Sequence, residues 1–560
     1  MEETLSLAIR NALDEMGAAD VAFALEWPAD LAHGDFATNA AMAASKALGR
    51  NPREIAEELV GKLKESLDDS VETVTAAGPG FVNITLARAA IAAELARATS
   101  LKGDWGRGVA RDGERVAFEY SCPNPFKEMH VGHLMSTVIG EAGARILENQ
   151  GARVLRDTYG GDVGPHVAKA LWALKRSGID TPTTAEEVGN AYAEGSRAYE
   201  ESENAKAEID AINTQLYRAL AKEDAERDES DRALLETWRH GREVSFEANR
   251  AIWSALGTNF DYVIHESETT PLGMQVVKDA LSRGIFAESE GAVIYEGEKK
   301  GLHTLVFLTS RGNPTYEAKE VGLAFLKEER MGPLDRVYIT TAAEQKGHFQ
   351  VFLAALEDIA PALAAKTAHV PHGFLRLTTG KMSSREGNIV TAAGLIEEIV
   401  AKASERNEDP LVAQAVAIGA IKYMILRQAA GGDIVFDPEK SLSLDGDSGP
   451  YLQYALVRAK SVIAQSEKKA DSADAPPEAY DLERLLIRFP EVARKAESLR
   501  ASHQVTQYLT QLASEWNSFY ANERIRDGAH EAYKLLIASA FVTTMENGLA
   551  LLGIPVPERM

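Results

Sequence analysis

Between Arg115 and His133 the chain reads RVAFEY (115–120) and then SCPNPFKEMHVGH (121–133). The first six residues form an apolar, aromatic run of strand type. The next thirteen are a Pro-rich loop opening into a helix expected over 132–149, and 153–159 reads as the next strand. Strand, helix and strand make a βαβ crossover, which implies a parallel sheet. Open parallel sheets bind ligands at the carboxyl ends of their strands, where this loop lies. A helix N-terminus there offers free N–H groups to a phosphate. His130 and His133 can donate to phosphate oxygens, while Gly132 lets a planar base or a backbone approach. Alone, these four residues are as readily two satisfied histidines at a helix start.

Upstream, 4–16 reads as an amphipathic helix, and Asn51-Pro52 starts another over 53–66 with Pro in its first turn. Strands are expected at 71–75 and Phe81–Leu86, around the turn Ala77-Gly78-Pro79-Gly80, with a glycine-rich linker at 103–113. Downstream, 167–264 reads as helical and charge-laced, and its acidic patch, 223–229, as a solvated helix face. Strands return at Ala292–Tyr295, 304–307, 336–339 and Leu375–Leu377. From 393 onward the pattern is almost wholly helical, broken mainly by the polar loop 466–480.

The 560 residues suggest roughly three to four domains. The net charge of −24 argues against non-specific nucleic-acid binding but leaves room for a local basic groove. A single cysteine excludes an internal disulfide framework and any site needing several Cys ligands, so no structural zinc is expected. The longest apolar runs, 411–421 and 535–545, stop at Lys422 and Glu546, short of the roughly 18 residues of a membrane span. MEETLSLAIRNALDEMG at the N-terminus has no targeting composition, so a cytoplasmic protein with no membrane partner is expected. Cys122 precedes Pro and reads as a packed small hydrophobe, not a nucleophile.

A second loop, Gly380-Lys381-Met382-Ser383-Ser384-Arg385-Glu386-Gly387-Asn388, carries two cations and two hydroxyls able to wrap a polyphosphate. In this order, about 250 residues apart, the two loops resemble the signatures of the class I aminoacyl-tRNA synthetases. HIGH reads His130-Val131-Gly132-His133, and KMSKS reads Lys381-Met382-Ser383-Ser384-Arg385.

The resemblance sharpens to the arginyl-tRNA synthetases. It is carried by HGDFATN (33–39), NPREIA (51–56), GPGFVN (78–83), SCPNPFK (121–127), Gly161-Asp162, PTYEAKE (314–320), GPYLQYA (449–455) and GLALLGIPVPERM (548–560). It implies a multidomain α/β chain: a small N-terminal tRNA-binding α/β domain (1–108), a Rossmann-like parallel-sheet catalytic domain (112–392) with a helical insertion at about 170–260, and a C-terminal all-helical anticodon-binding domain (393–560). It further implies a monomer that uses ATP with Mg²⁺, L-arginine and tRNA(Arg). Two positions depart from the pattern. Ser384 replaces the second KMSKS lysine, for which Lys127 would substitute, and Val163 stands where the family often has Trp.

By the resemblance, Lys127, His130, His133, Lys381 and Arg385 would stabilise the phosphates, and Gly132, Met382, Ser383 and Ser384 would complete the ATP site. A planar arginine side chain with five donors calls for carboxylates in bidentate reach, and Glu119, Asp162 and Glu320 lie near expected strand ends. Of these, Glu119 and Glu320 would take the guanidinium, with Glu320 where many members have Asp. Asn124 would hold the α-amino or carboxylate end, Tyr316 would cover the side chain, and Gln345 would add a hydrogen bond. Tyr451, Tyr454 and Arg458 share one helix face and, with Gln453, would contact the anticodon. Phe81 and Asn83 would meet the outer corner of the tRNA. The alternatives are a class I enzyme for another amino acid, a nucleotidyltransferase sharing HIGH, or a silent tRNA-binding paralogue.

Overall fold

The computed structural model describes residues 1–28, 33–378, 390–429 and 431–560. The chain divides into two compact units. One comprises Met1–Arg107, Tyr454–Ala493 and Tyr508–Gly548, and the other Gly108–Gln453, Arg494–Gln507 and Leu549–Met560.

The second unit is built on a five-stranded sheet of β1 (Arg115–Glu119), β2 (Arg153–Gly160), β3 (Tyr262–His265), β4 (Arg336–Ala342) and β5 (Thr367–His372). All its pairings are parallel, in the order β5-β4-β1-β2-β3. β1 is central and buried from Val116 to Glu119, as a near-continuous apolar run in a parallel sheet requires. The chain leaves β1 through helix α1 (Val131–Asn149) to β2 and β3, then returns on the other side as β4 and β5. The winding therefore reverses between β1 and β4, and the crevice at their carboxyl ends is the ligand position of such a sheet.

Between β2 and β3 lie four helices: α2 (Pro165–Arg176), α3 (Ala185–Glu201), α4 (Glu203–Ala221) and α5 (Glu229–Ala255). The helical reading of 167–264 runs too far, because α5 stops at Ala255 and Tyr262–His265 is a sheet strand. Short apolar runs look alike by periodicity whether they become helix or buried strand. The acidic patch at 223–229 is solvated, but it is mostly the exposed turn from α4 to α5 and not a helix face. β5 was also unread. Its Pro371 argues against a central strand, and β5 is an edge. A second strand inside the expected helical region, Ile434–Phe436, pairs in parallel with Leu375–Leu377.

After β3 come α6 (Glu266–Ser282), a small antiparallel sheet (Ala287–Ser289, Ala292–Tyr295, Leu305–Leu308) and α7 (Tyr316–Met331). α6 and α7 meet backbone to backbone. A Cβ on Gly273 would overlap Ala318 O, and one on Gly322 would overlap Thr269 O. Glycine at both positions is what lets α7 lie close enough to carry side chains to the sheet.

In the first unit, a helix (Glu2–Glu15) and an antiparallel sheet ordered Leu25–Glu26, Phe36–Thr38, Phe81–Leu86, Val71–Ala77 enclose Leu5, Ile9, Leu59, Val82 and Ile84. The Asn51 side chain caps the helix Pro52–Ser66 by accepting from Arg53 N–H at 2.9 Å. Among the described residues no helix is long and apolar enough to cross a membrane.

Candidate active site

The loop leaving β1 is strained. Ser121, Cys122 and Phe126 have φ of 72°, 48° and 67°, the left-handed region that side chains disfavour. Hydrogen bonds hold it there. Trp253 Nε1 donates to Ser121 Oγ at 2.8 Å, Ser121 N–H to Ser136 Oγ at 3.0 Å, and Cys122 N–H to Thr158 Oγ1 at 3.1 Å. Ser136 in turn donates to Thr340 O at 2.9 Å, fastening α1 to the far side of the crevice. Burial, then Glu119, pushes the Cys122 thiol well up, and its Sγ lies 3.5 Å from Glu119 Oε1. A thiol so held is a packed group and no thiolate.

The two histidines cap α1. Gly132 N–H donates to His130 Nδ1 at 3.1 Å and His130 N–H to His133 Nδ1 at 3.3 Å, while the rings stack with centroids 3.8 Å apart. Since each Nδ1 accepts, each neutral ring carries its proton on Nε2, as a donor turned away from the cap. Burial, His130 and Lys127 push His133 down to about 3. Loss of water around the ring, then Lys127, lowers His130. Both are therefore neutral hydrogen-bond donors at physiological pH. A Cβ on Gly132 would press on the His130 ring at 2.9 Å.

Lys381, Met382, Ser383, Ser384 and Arg385 lie outside the described residues. The chain re-enters at Val390, where it is stitched to the histidine segment: Val131 N–H donates to Val390 O at 3.1 Å and Ala392 N–H to Met129 O at 2.7 Å. The second loop thus ends against the first.

Three carboxylates gather beneath. Glu119 ends β1 and is paired in register with Asp157 on β2. Both meet the fully buried Lys327 of α7, whose Nζ lies 2.5 Å from Glu119 Oε2 and 2.8 Å from Asp157 Oδ2. Glu320, seven residues before Lys327 on the same helix, is 1% exposed and makes no ion pair among the described residues, while the Tyr316 hydroxyl lies within reach of its carboxylate and favours the ionised form. Burial, then the Glu119 charge, pushes its carboxyl up to about 8. Burial and Glu119 also raise Asp157, to about 6, against the pull of Lys327. One ammonium thus serves three carboxylates, which leaves the cluster one cation short even with Glu320 protonated. Tyr316 stands one turn before Glu320, 38% exposed, with its ring 4.8 Å from His348.

Asn124 and Gln345 are half-buried on opposite sides of the crevice, after β1 and β4. The Asn124 carboxamide lies so close to Gly161 that a Cβ there would overlap it. Asp162 is not a free acceptor. Ser267 N–H and Oγ donate to it at 2.8 and 2.7 Å, and Arg242 pairs with it at 3.0 Å. Val163 packs with Trp238 in the core of the helical insertion.

Among the residues expected at tRNA, Phe81 and Tyr454 are 40% and 38% exposed. Asn83 and Tyr451 are half-buried, and Arg458 lies over the Tyr520 ring at 3.9 Å. Gln453 is a correction. It is fully buried, donating from Nε2 to Ala415 O at 3.0 Å and Pro555 O at 2.6 Å, so it is a structural strut that no base reaches. Sequence reasoning missed Lys327 and Asp157, and also the buried Lys319–Glu266 pair. The available signal was helix spacing, which puts Lys327 on the face of Tyr316 and Glu320.

Three family models match in order: "tRNA synthetases class I (R), catalytic domain" over residues 98–437, "Arginyl tRNA synthetase N terminal domain" over 3–86 and "DALR anticodon binding domain" over 452–560. The arginine–tRNA ligase of Hyphomonas neptunium is 33% identical, with 94% of each chain covered. That of Chloroflexus aurantiacus is 30% identical over 92% of each. Among solved structures, the arginyl-tRNA synthetase of Thermus thermophilus superposes with a TM-score of 0.78 at 27% identity over the whole of both chains.

Proposed function

The chain belongs to the arginyl-tRNA synthetases, and from that premise we propose how its residues divide the work of charging tRNA(Arg) with arginine. Arginine enters the crevice side chain first. Its guanidinium supplies the missing cation, bridging Glu119 and Glu320, with Tyr316 over it, Gln345 beside it and Asn124 at the α-amino or carboxylate end. The observation that carries this reading is Glu320, a buried carboxylate with no cation paired to it among the described residues. Buried acceptors built for a planar fork reject lysine, whose single ammonium leaves some of them unpaired.

ATP lies across the histidine cap. The Nε2–H groups of His130 and His133 and the charges of Lys127, Lys381 and Arg385 take the growing negative charge as the arginine carboxylate attacks the α-phosphate and pyrophosphate leaves. Gly132, Met382, Ser383 and Ser384 complete this site. The terminal ribose hydroxyl of the tRNA, the 2′-OH in class I chemistry, then attacks the adenylate. No protein nucleophile is needed. No set of three or more His, Cys, Asp or Glu side chains is gathered to hold a metal among the described residues. Mg²⁺ enters with the substrate on this reading, carried on the ATP phosphates.

The division of labour follows the sequence map: residues 1–108 meet the outer corner of the tRNA through Phe81 and Asn83, 112–392 carry out the chemistry, and 393–560 read the anticodon through Tyr451, Tyr454 and Arg458. The enzyme works as a cytoplasmic monomer and activates arginine only with tRNA bound. The test is arginine-dependent ATP–pyrophosphate exchange with and without tRNA(Arg), with lysine as control. Exchange with arginine only when tRNA is present is expected. Exchange with lysine would sink the assignment of the pocket, and exchange without tRNA would sink the tRNA requirement.

A further inference from the structure

We propose that the helical insertion between β2 and β3 is a positioning device for Lys127, acting through Tyr192 and Phe126. This rests on the assignment of Lys127 to the ATP phosphates.

The loop carrying Lys127 is gripped by the insertion on both sides of that residue. Phe126 holds a left-handed backbone, φ 67°, which a bulky side chain keeps only when its surroundings enforce it. The enforcement comes from α5 and its neighbours. The Phe126 ring is fully buried among Val163, Val167, Leu216 and Trp238, so close to α5 that a Cβ on Gly241 would overlap it. Its N–H donates to Ser245 Oγ at 3.0 Å, and Ser245 is aimed by donating to Gly241 O at 2.7 Å. One residue further on, the Lys127 ammonium lies 4.8 Å from the centroid of the Tyr192 ring on α3 and within reach of its hydroxyl, so Tyr192 holds it by both ring and oxygen without a carboxylate's charge. A Cβ on Gly189, one turn earlier on α3, would sit in ordinary contact with the Glu128 side chain.

Among the described residues Lys127 makes no ion pair, and its charge reaches both His130 and His133. A lysine on a flexible four-carbon stem needs something to hold it, yet a carboxylate partner would spend its charge. An aromatic face holds an ammonium without neutralising it. Tyr192 therefore leaves the full charge available to a polyphosphate, and the strained Phe126 fixes the point from which the stem departs. The insertion thereby reaches the chemistry without touching substrate.

The experiment is steady-state pyrophosphate exchange on the full-length enzyme with tRNA(Arg). Tyr192→Leu removes the ring face and should lower kcat about tenfold, as expected for a lost cation–π contact, with KM for arginine unchanged within about twofold. Tyr192→Phe keeps the ring face but loses the hydroxyl, so its kcat should fall less than that of Tyr192→Leu and lie between that variant and the unmodified enzyme. In a Lys127→Met background, Tyr192→Leu should add nothing. Ser245→Ala, which loosens the Phe126 anchor at nearly constant volume, should lower kcat severalfold with the same KM pattern. Melting curves on each variant separate loss of fold from loss of position. An unchanged kcat in folded Tyr192→Leu overturns the proposal, as does an equal loss with and without Lys127. An undiminished Lys127→Met overturns the phosphate assignment beneath it.

Discussion

If Glu320 takes the guanidinium, as proposed, arginine binding should release a proton. Without ligand its carboxyl titrates at about 8, because burial and the Glu119 charge both favour the neutral form. A guanidinium binds the ionised form, so apparent affinity falls by the fraction protonated. Raising the pH from 6.5 to 8.5 should therefore tighten arginine binding by about an order of magnitude, levelling off only above about pH 9. At pH 7 about 0.9 proton should leave per arginine bound. Calorimetric titration at pH 7 in two buffers of different ionisation enthalpy measures that number directly. Glu320→Gln should abolish the release and weaken binding by about 2–5 kcal/mol, the cost of removing one partner from a buried charge pair. Asp157, at about 6, contributes little above pH 6.5. Affinity independent of pH across this window, with no proton released, would refute the reading of Glu320 as the guanidinium's partner.

Both cap histidines are already neutral, His133 titrating at about 3, so neither should appear in the pH–rate profile of single-turnover activation between pH 6 and 8. His130→Asn, which keeps a neutral donor, should retain more activity in that assay than His130→Ala. Gln453→Ala leaves Ala415 O and Pro555 O unpaired and should cost about 1–3 kcal/mol in a denaturant titration. Tyr454→Ala should leave that midpoint unchanged and weaken tRNA binding by about 1–3 kcal/mol, the worth of one stacked base, in a filter-binding assay. Glu141 is buried and accepts from Tyr120, Thr258, Arg145 and Arg156. Despite burial, Arg156 and these hydrogen bonds hold its carboxyl below the usual range. Its stabilisation is therefore complete at neutral pH and lost as pH falls through that lowered value. Glu141→Ala should remove about 3–5 kcal/mol at pH 7 by thermal or denaturant melting, and less in acid.

The βαβ core was legible because its signals are local. RVAFEY becomes β1, the expected helix begins one residue early at Val131, and the second strand ends one residue late at Gly160. β3 and β5 were not legible, for a common reason. Each is an edge of four to six residues whose identity depends on a partner far away in sequence, Asp157 for Tyr262 and Val337 for Thr367. Gln453 misled for the opposite reason. It sits between Leu452 and Tyr454 in a helix with both wet and dry faces, and one residue of rotation separates a base contact from a backbone strut.

The carboxylate cluster shows a deeper limit. Glu119 and Glu320 could be named from the chain, but their electrostatic state could not, because Lys327 sets it. A lysine in a charged helical stretch, LKEERM, reads as solvent-facing, and nothing local marks it as fully buried. Yet β1 and β2 place Glu119 and Asp157 side by side, and two buried like charges need a cation or a proton. Lys327 supplies one charge to that pair and leaves Glu320 to satisfy itself by staying protonated. With Glu119 and Asp157 ionised against one Lys327, the empty pocket carries about one net negative charge at neutral pH, and it gains a second only when a cation arrives to draw the Glu320 proton off. Selectivity for a guanidinium then depends less on the count of acidic residues than on one of them having no cation of its own among the described residues.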